Sequence, residues 1–111
     1  AMLGAAHLKD IGTHFPDNDA AFKNIDSKIL LKKTAELVAS KGYKIENVDS
    51  IICAQEPKMK PYIDDMQRTI ASILGIDEED ASVKATTTEK LGFVGKKEGI
   101  AAHAVVLLSK E

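Results

Sequence analysis

The run Asn47 to Gln55 constrains the fold most, because it is β-branched and continuously apolar at Val48, Ile51 and Ile52. A short apolar run without clean alternation reads as a largely buried strand. Its flanks show what buries it. On the N-terminal side a helix is expected from about Ser27 to Lys41, capped by Asp26 or Ser27 and stopped by Gly42. Ile29 or Leu30, Leu31, Thr34, Leu37 and Val38 fall on one side of it, and Lys28, Lys32, Lys33 and Glu36 on the other. On the C-terminal side Pro61 opens a second helix, Tyr62 to Leu74, with an inward stripe of Ile63, Met66, Ile70, Ile73 and Leu74 and an end at Gly75. Ile76 to Asp80 reads as an acidic turn. Alternation then predicts a strand over Ala81 to Thr87 and a last one over Ile100 to Leu108, with Ala102, Ala104 and Val106 opposite Ala101, His103, Val105 and Leu107. Helices alternating with buried strands imply an α/β (α+β) fold, a sheet with helices packed on one face.

The chain is one domain, residues 1–111, with 44% apolar content, enough for one modest core. A net charge of -2 and the lack of a basic stripe interleaved with aromatics argue against a nucleic-acid binder. No apolar run approaches the roughly 20 residues of a membrane span. Cys53, the single cysteine, reads as a small buried core residue rather than a nucleophile, and no disulfide forms within one chain. His7, His14 and His103 show no metal-ligand spacing. Ala1 to Leu8 reads as the last turns of a helix without a capping residue before it, so further chain is expected upstream.

Three stretches are too polar or too broken for core. Val83 to Gly99 carries Thr86, Thr87 and Thr88, then Glu89, a lone Phe93 between Gly92 and Gly95, and the cations Lys96 and Lys97. Hydroxyls and amides can donate to phosphate oxygens, lysines can neutralise them, and a carboxylate can hold a divalent cation against them. A solvated turn between strands would have the same composition. Asp10 to Asn24 breaks both periodicities and reads as a long loop whose Asp10, Asp17 and Asp19 are hydroxyl acceptors, cation ligands or turn-forming caps. Glu56 to Pro61 is a strand-to-helix connection at the carboxyl end of the buried strand, where ligands of α/β sheets tend to lie.

The strings themselves say more. Ala85 to Phe93, A-T-T-T-E-K-L-G-F, resembles the signature of the 2-C-methyl-D-erythritol 2,4-cyclodiphosphate synthase family. Leu3–Ala6 (L-G-A-A), Asp10–Gly12 (D-I-G), Phe15–Asp19 (F-P-D-N-D), Ala54–Met59 (A-Q-E-P-K-M) and Gly95–Ala101 (G-K-K-E-G-I-A) match it in order along the whole chain. The resemblance implies a mixed β-sheet with helices on one face, and subunits assembling as a homotrimer with active sites at their boundaries. It implies intramolecular phosphoryl transfer: 4-diphosphocytidyl-2-C-methyl-D-erythritol 2-phosphate closes on itself and expels CMP. Asp10, Ile11 and Gly12 would contact the ribose. Phe15, Pro16, Asp17, Asn18 and Asp19 would form a mobile loop near the methylerythritol portion.

Ala54, Gln55, Glu56, Pro57, Lys58, Met59 and Lys60 would form the cytosine pocket, with Lys60 standing where the family usually has an apolar residue. Thr86, Thr87 and Thr88 would place the diphosphate, Thr87 donating to developing charge, and Glu89 would hold magnesium or manganese. The family's zinc is held by an Asp-x-His pair and a further His that precede Ala1, so the zinc ligands and N-terminal strands are absent from these residues. Phe93 and Lys96 would line a cavity on the trimer axis for an isoprenoid diphosphate, Lys96 replacing the usual arginine and keeping only a point charge. Plain packing of Phe93 between subunits is the alternative. The compartment implied is the cytoplasm in a bacterium or the plastid in a eukaryote. Two other functions fit the residues: a catalytically inactive cytidine nucleotide-binding domain, and a small structural α/β domain.

Overall fold

The computed structural model describes residues 1–111 and is built on one central strand, β1 (Tyr43–Cys53). It lies between β2 (Ala81–Thr86), which is parallel to it, and β3 (Ala101–Lys110), which is antiparallel. The sheet is therefore mixed. Five helices accompany it: α1 (Met2–Ala5), α2 (Ile11–His14), α3 (Ser27–Ser40), α4 (Ile63–Leu74) and α5 (Gly92–Gly95). No helix is long and apolar enough to cross a membrane.

α3 begins where expected, its Lys28 N–H donating to the Asp26 carboxylate at 2.9 Å. α4 is preceded by a 3-10 turn, Lys60–Tyr62, that holds Pro61, and it ends at Gly75 in the left-handed region, φ 69. Gln67 ties α4 to the sheet, its side-chain oxygen accepting from the Val83 N–H at 3.1 Å.

The expected start of β1 at Asn47 is four residues late. Tyr43, Lys44 and Ile45 pair with Lys110, Ser109 and Leu108, partners far along the chain that local pattern does not reveal. A bulge between Ile45 and Asn47 then changes which face each residue takes. Ile45 joins the helix side, and beyond the bulge Val48, Ser50 and Ile52 do. Asn47, Asp49, Ile51 and Cys53 take the other face, beside Leu107, Val105, His103 and Ala101. Ser109 Oγ marks the bulge by donating to the Glu46 carboxylate at 2.7 Å.

The core is a small cluster of Met2, Ala6, Val38 and Ile45, ringed by Leu31, Tyr43, Leu74, Val106 and Leu108. Only 12 of 111 residues are buried, because helices cover one face of the sheet and leave the other bare. Ile51 and Cys53, on the bare face, are consequently half-buried, and Ile52 on the helix side is half-buried too, so the strand is less covered than the largely buried one expected and the cysteine is not buried. On the bare face Val105 is 73% exposed and Leu107 57%, with the ion pair of Lys84 and Asp49 beside them.

Candidate functional site

The site is built at the carboxyl ends of the two parallel strands. β1 and β2 stay bonded one residue past the ladder, the Ala54 N–H donating to the Thr86 carbonyl at 3.0 Å, and Ala54 is buried. The chain then leaves β1 through Gln55, Glu56, Pro57 and Lys58, exposed but for Gln55, with half-buried Met59 leading into the turn at Lys60. Two side chains fasten this loop. Gln55 Oε1 accepts from the Lys90 N–H at 3.3 Å, and Glu56 Oε1 meets Lys97 Nζ at 3.1 Å. Ala54 to Lys58, the threonine turn and the segment after α5 are thereby one cluster.

Within the turn the three threonines differ. Thr86 Oγ1 donates to the Thr87 carbonyl at 3.1 Å and Thr88 Oγ1 to the Leu91 carbonyl at 2.7 Å, so both hydroxyl protons are used to shape the backbone. Thr87 Oγ1 accepts from the Glu89 N–H at 3.3 Å and keeps its proton for another acceptor. Glu89 and Lys90 both take left-handed backbone, φ 52 and φ 64, which costs a side-chain-bearing residue of order 1–3 kcal/mol. The Glu89 carboxylate is exposed and joins no ion pair. One free carboxylate beside a free hydroxyl suits a hard cation that also takes phosphate oxygens and water, as magnesium and manganese do. Zinc is not suited by these residues: no group of three or more His, Cys, Asp or Glu side chains comes together.

The turn is closed by α5, which is absent from the sequence-based expectation. Gly95 lies against Lys90 so closely that a Cβ there would stand 2.1 Å from the Lys90 carbonyl carbon. Phe93, 56% exposed, lies with its ring near Gly99, and Lys96 follows at the helix end. Leu91 and Ile100, which flank the α5 segment in the chain, are also exposed.

Asp10 to Asp19 is separate. No hydrogen bond or ion pair joins it to Ala54–Lys60 or to Thr86–Glu89. The expected unstructured loop is in fact two short helical turns, α2 and Ala20–Phe22, too short to leave a periodic pattern. Asp19 is a cap, its carboxylate accepting from the Ala21 N–H at 2.9 Å, while Asp17 and Asn18 are exposed. Phe15 packs edge-on against Phe22 at 5.4 Å beside the half-buried Pro16.

Asp10 precedes Ile11 and Gly12 and accepts from Thr13 Oγ1 at 2.6 Å. That hydroxyl, aided by nearby backbone amides, holds the Asp10 carboxyl below its ordinary value. A depressed carboxyl favours folding above its unfolded value and loses that contribution as pH falls through the folded one. Asp10 is thus an ionised acceptor at any pH above its ordinary range. Thr13→Val should return the Asp10 titration toward the ordinary 3.8, read by carboxyl NMR. An unmoved titration would remove Thr13 as the cause.

Comparison with known proteins follows this geometry. The YgbB family profile matches residues 1–109. The 2-C-methyl-D-erythritol 2,4-cyclodiphosphate synthase of Bacteroides thetaiotaomicron is 61% identical over 111 residues, all of this chain and 70% of that one. The synthase of the same name from Shewanella oneidensis is 56% identical, again with 70% of its length covered. Among solved structures, the bifunctional IspDF from Campylobacter jejuni superposes with a TM-score of 0.96 at 48% identity, covering all of this chain and 30% of that one. The IspF CDP complex of Plasmodium falciparum superposes with a TM-score of 0.84 at 39% identity, covering 99% and 65%. Fold, strings at the carboxyl ends of β1 and β2, and identity along the full match agree: this chain belongs to the YgbB family, alongside the 2-C-methyl-D-erythritol 2,4-cyclodiphosphate synthases.

Proposed function

We propose that the chain acts as a 2-C-methyl-D-erythritol 2,4-cyclodiphosphate synthase, a phosphorus–oxygen lyase of non-mevalonate isoprenoid biosynthesis. The observation that carries this reading is the convergence of the Gln55-anchored loop with a turn whose Thr87 proton and Glu89 carboxylate are both free. An oxygen of the substrate's 2-phosphate attacks the β-phosphorus. The bond from that phosphorus to the bridging oxygen breaks, CMP leaves with the oxygen, and an eight-membered ring closes. Both reacting groups belong to one molecule, so the protein's work is alignment and charge stabilisation.

Ala54 to Lys60 hold the cytosine, with backbone groups on its edge and Met59 against its face. Thr87 donates its hydroxyl proton to the diphosphate where negative charge grows. Thr86 and Thr88 keep the turn in shape beneath it. Glu89 would hold magnesium or manganese, which would supply positive charge to the phosphates. Asp10, Ile11 and Gly12 meet the ribose, and Phe15 to Asp19 close over the sugar chain.

Asp10 to Asp19 shares no hydrogen bond or ion pair with the other groups of its own chain, and a neighbouring copy completes each site. The bare sheet face, with Val105 and Leu107 exposed, is the surface that homotrimer assembly would cover. Phe93 and Lys96 are then left near the axis for an isoprenoid diphosphate.

The test is CMP release from 4-diphosphocytidyl-2-C-methyl-D-erythritol 2-phosphate with zinc and magnesium present, beside CDP binding by calorimetry. Release is the expected result. Binding without release would favour the inactive cytidine nucleotide-binding domain, and neither would leave only a structural domain.

A further inference from the structure

After α5 the backbone enters the left-handed region at Lys97, φ 62, a conformation that glycine adopts without steric cost and lysine does not. The side chain that occupies this place turns away from its own segment. Its Nζ reaches Glu56 Oε1 at 3.1 Å, and Lys97 lines one open hollow with Gln55, Glu56, Pro57 and Lys58.

The rest of that loop shows why the contact matters. Ala54 is held by the Thr86 carbonyl and Gln55 by the Lys90 N–H. At the other end the Met59 carbonyl accepts from the Tyr62 N–H at 2.8 Å. Between these anchors Glu56, Pro57 and Lys58 make no hydrogen bond, and the ion pair with Lys97 is their one polar tie to another part of the chain. Both partners are more than half exposed, so the tie is open to screening by salt.

Resting on the reading of Ala54 to Lys60 as the cytidine pocket, we infer that Lys97 is a positioning residue for that pocket. It acts through Glu56, fixing the otherwise untied tip of the loop, and makes nucleotide affinity depend on ionic strength. Sequence places Lys97 beside Lys96 as one more cation; only the backbone geometry and the distance to Glu56 separate them.

Lys97→Gly and Glu56→Gln, alone and combined, would be tested against CDP by calorimetry at low and high salt, with melting temperature alongside. Lys97→Gly should melt no lower than the parent, because glycine suits this backbone. CDP affinity should fall about three- to fivefold at low salt, the range an exposed ion pair supplies, and the gap should close at about 0.5 M salt. Glu56→Gln should give the same loss, and the double variant no further loss. Equal affinity for parent and Lys97→Gly at low salt overturns the inference. So does additivity of the two losses, which would place Lys97 on the nucleotide itself. A parent protein that does not bind CDP overturns the pocket reading and this inference with it.

Discussion

Gly95→Ala is expected to destabilise the protein more than any other exchange of a glycine for alanine in the chain. A Cβ at this position would stand 2.1 Å from the Lys90 carbonyl carbon, 2.6 Å from its Cα and 2.8 Å from its oxygen, all backbone atoms. Lys90 has little room to retreat. Its own backbone is left-handed and its N–H is engaged by Gln55. The next carbonyl, of Leu91, receives both the Gly95 N–H at 3.1 Å and the Thr88 hydroxyl at 2.7 Å. Overpacking of this kind costs about 1–3 kcal/mol and at times more. We expect the upper end, a fall in melting temperature on the order of 10–20 °C for a domain of this size. CDP affinity should fall with it, because Lys90 and Leu91 continue the turn that holds Thr87 and Glu89. Gly4→Ala, with nothing within 4 Å of the new Cβ and a helical backbone, is the control and should be neutral or stabilising. Melting of Gly95→Ala within about two degrees of the parent would show that α5 does not hold the turn.

This close approach also shows where sequence stops being legible. α3 and α4 were readable to within a residue because their signals are local: Asp26 and Gly42 on one, Pro61 and Gly75 on the other. α5 was not, since a four-residue helix opening and closing on glycine has no periodicity and poor propensity. It exists because Gly95 fits beneath Lys90. The beginning of β1 was hidden for a related reason, its partners lying at the far end of β3, and the bulge at Glu46 then exchanged its faces. Half-burial of Ile51 and Cys53 was equally out of reach. Apolar side chains predict that something covers them, and which face stays bare is settled by how many helices the chain can lay on the sheet.

For the candidate site the strings were enough to locate the loop, the threonine run and Glu89, yet they rank Thr86, Thr87 and Thr88 alike. Hydrogen-bond geometry separates them, because two hydroxyls spend their protons on carbonyls and one does not. The separation of Asp10 to Asp19 from the rest has a physical counterpart in Asp19. Sequence left that residue open between ligand and cap, and within one chain it is a cap.

Glu89→Gln is expected to remove the dependence of turnover on magnesium or manganese while leaving the fold unchanged. The side chain is exposed, free of ion pairs and set on left-handed backbone, so little of the folding energy depends on its charge. Backbone strain held at an uncommitted carboxylate points to use of that carboxylate rather than to packing. Glutamine keeps the size and the backbone demand and takes away only the anionic oxygens, so melting temperature should hold, and CDP affinity without divalent metal should stay within about threefold. Manganese binding to the CDP complex, followed by titration calorimetry, should be lost. Turnover should fall about 10²–10³-fold, the loss typical when one electrostatic contact to a developing charge is removed. Thr87→Val should fall by a similar factor with manganese binding retained, since in the proposed mechanism the hydroxyl serves the substrate and the carboxylate serves the cation. If Glu89→Gln turns over with the parent's response to magnesium, the cation is held elsewhere, and the free carboxylate beside Thr87 has another purpose.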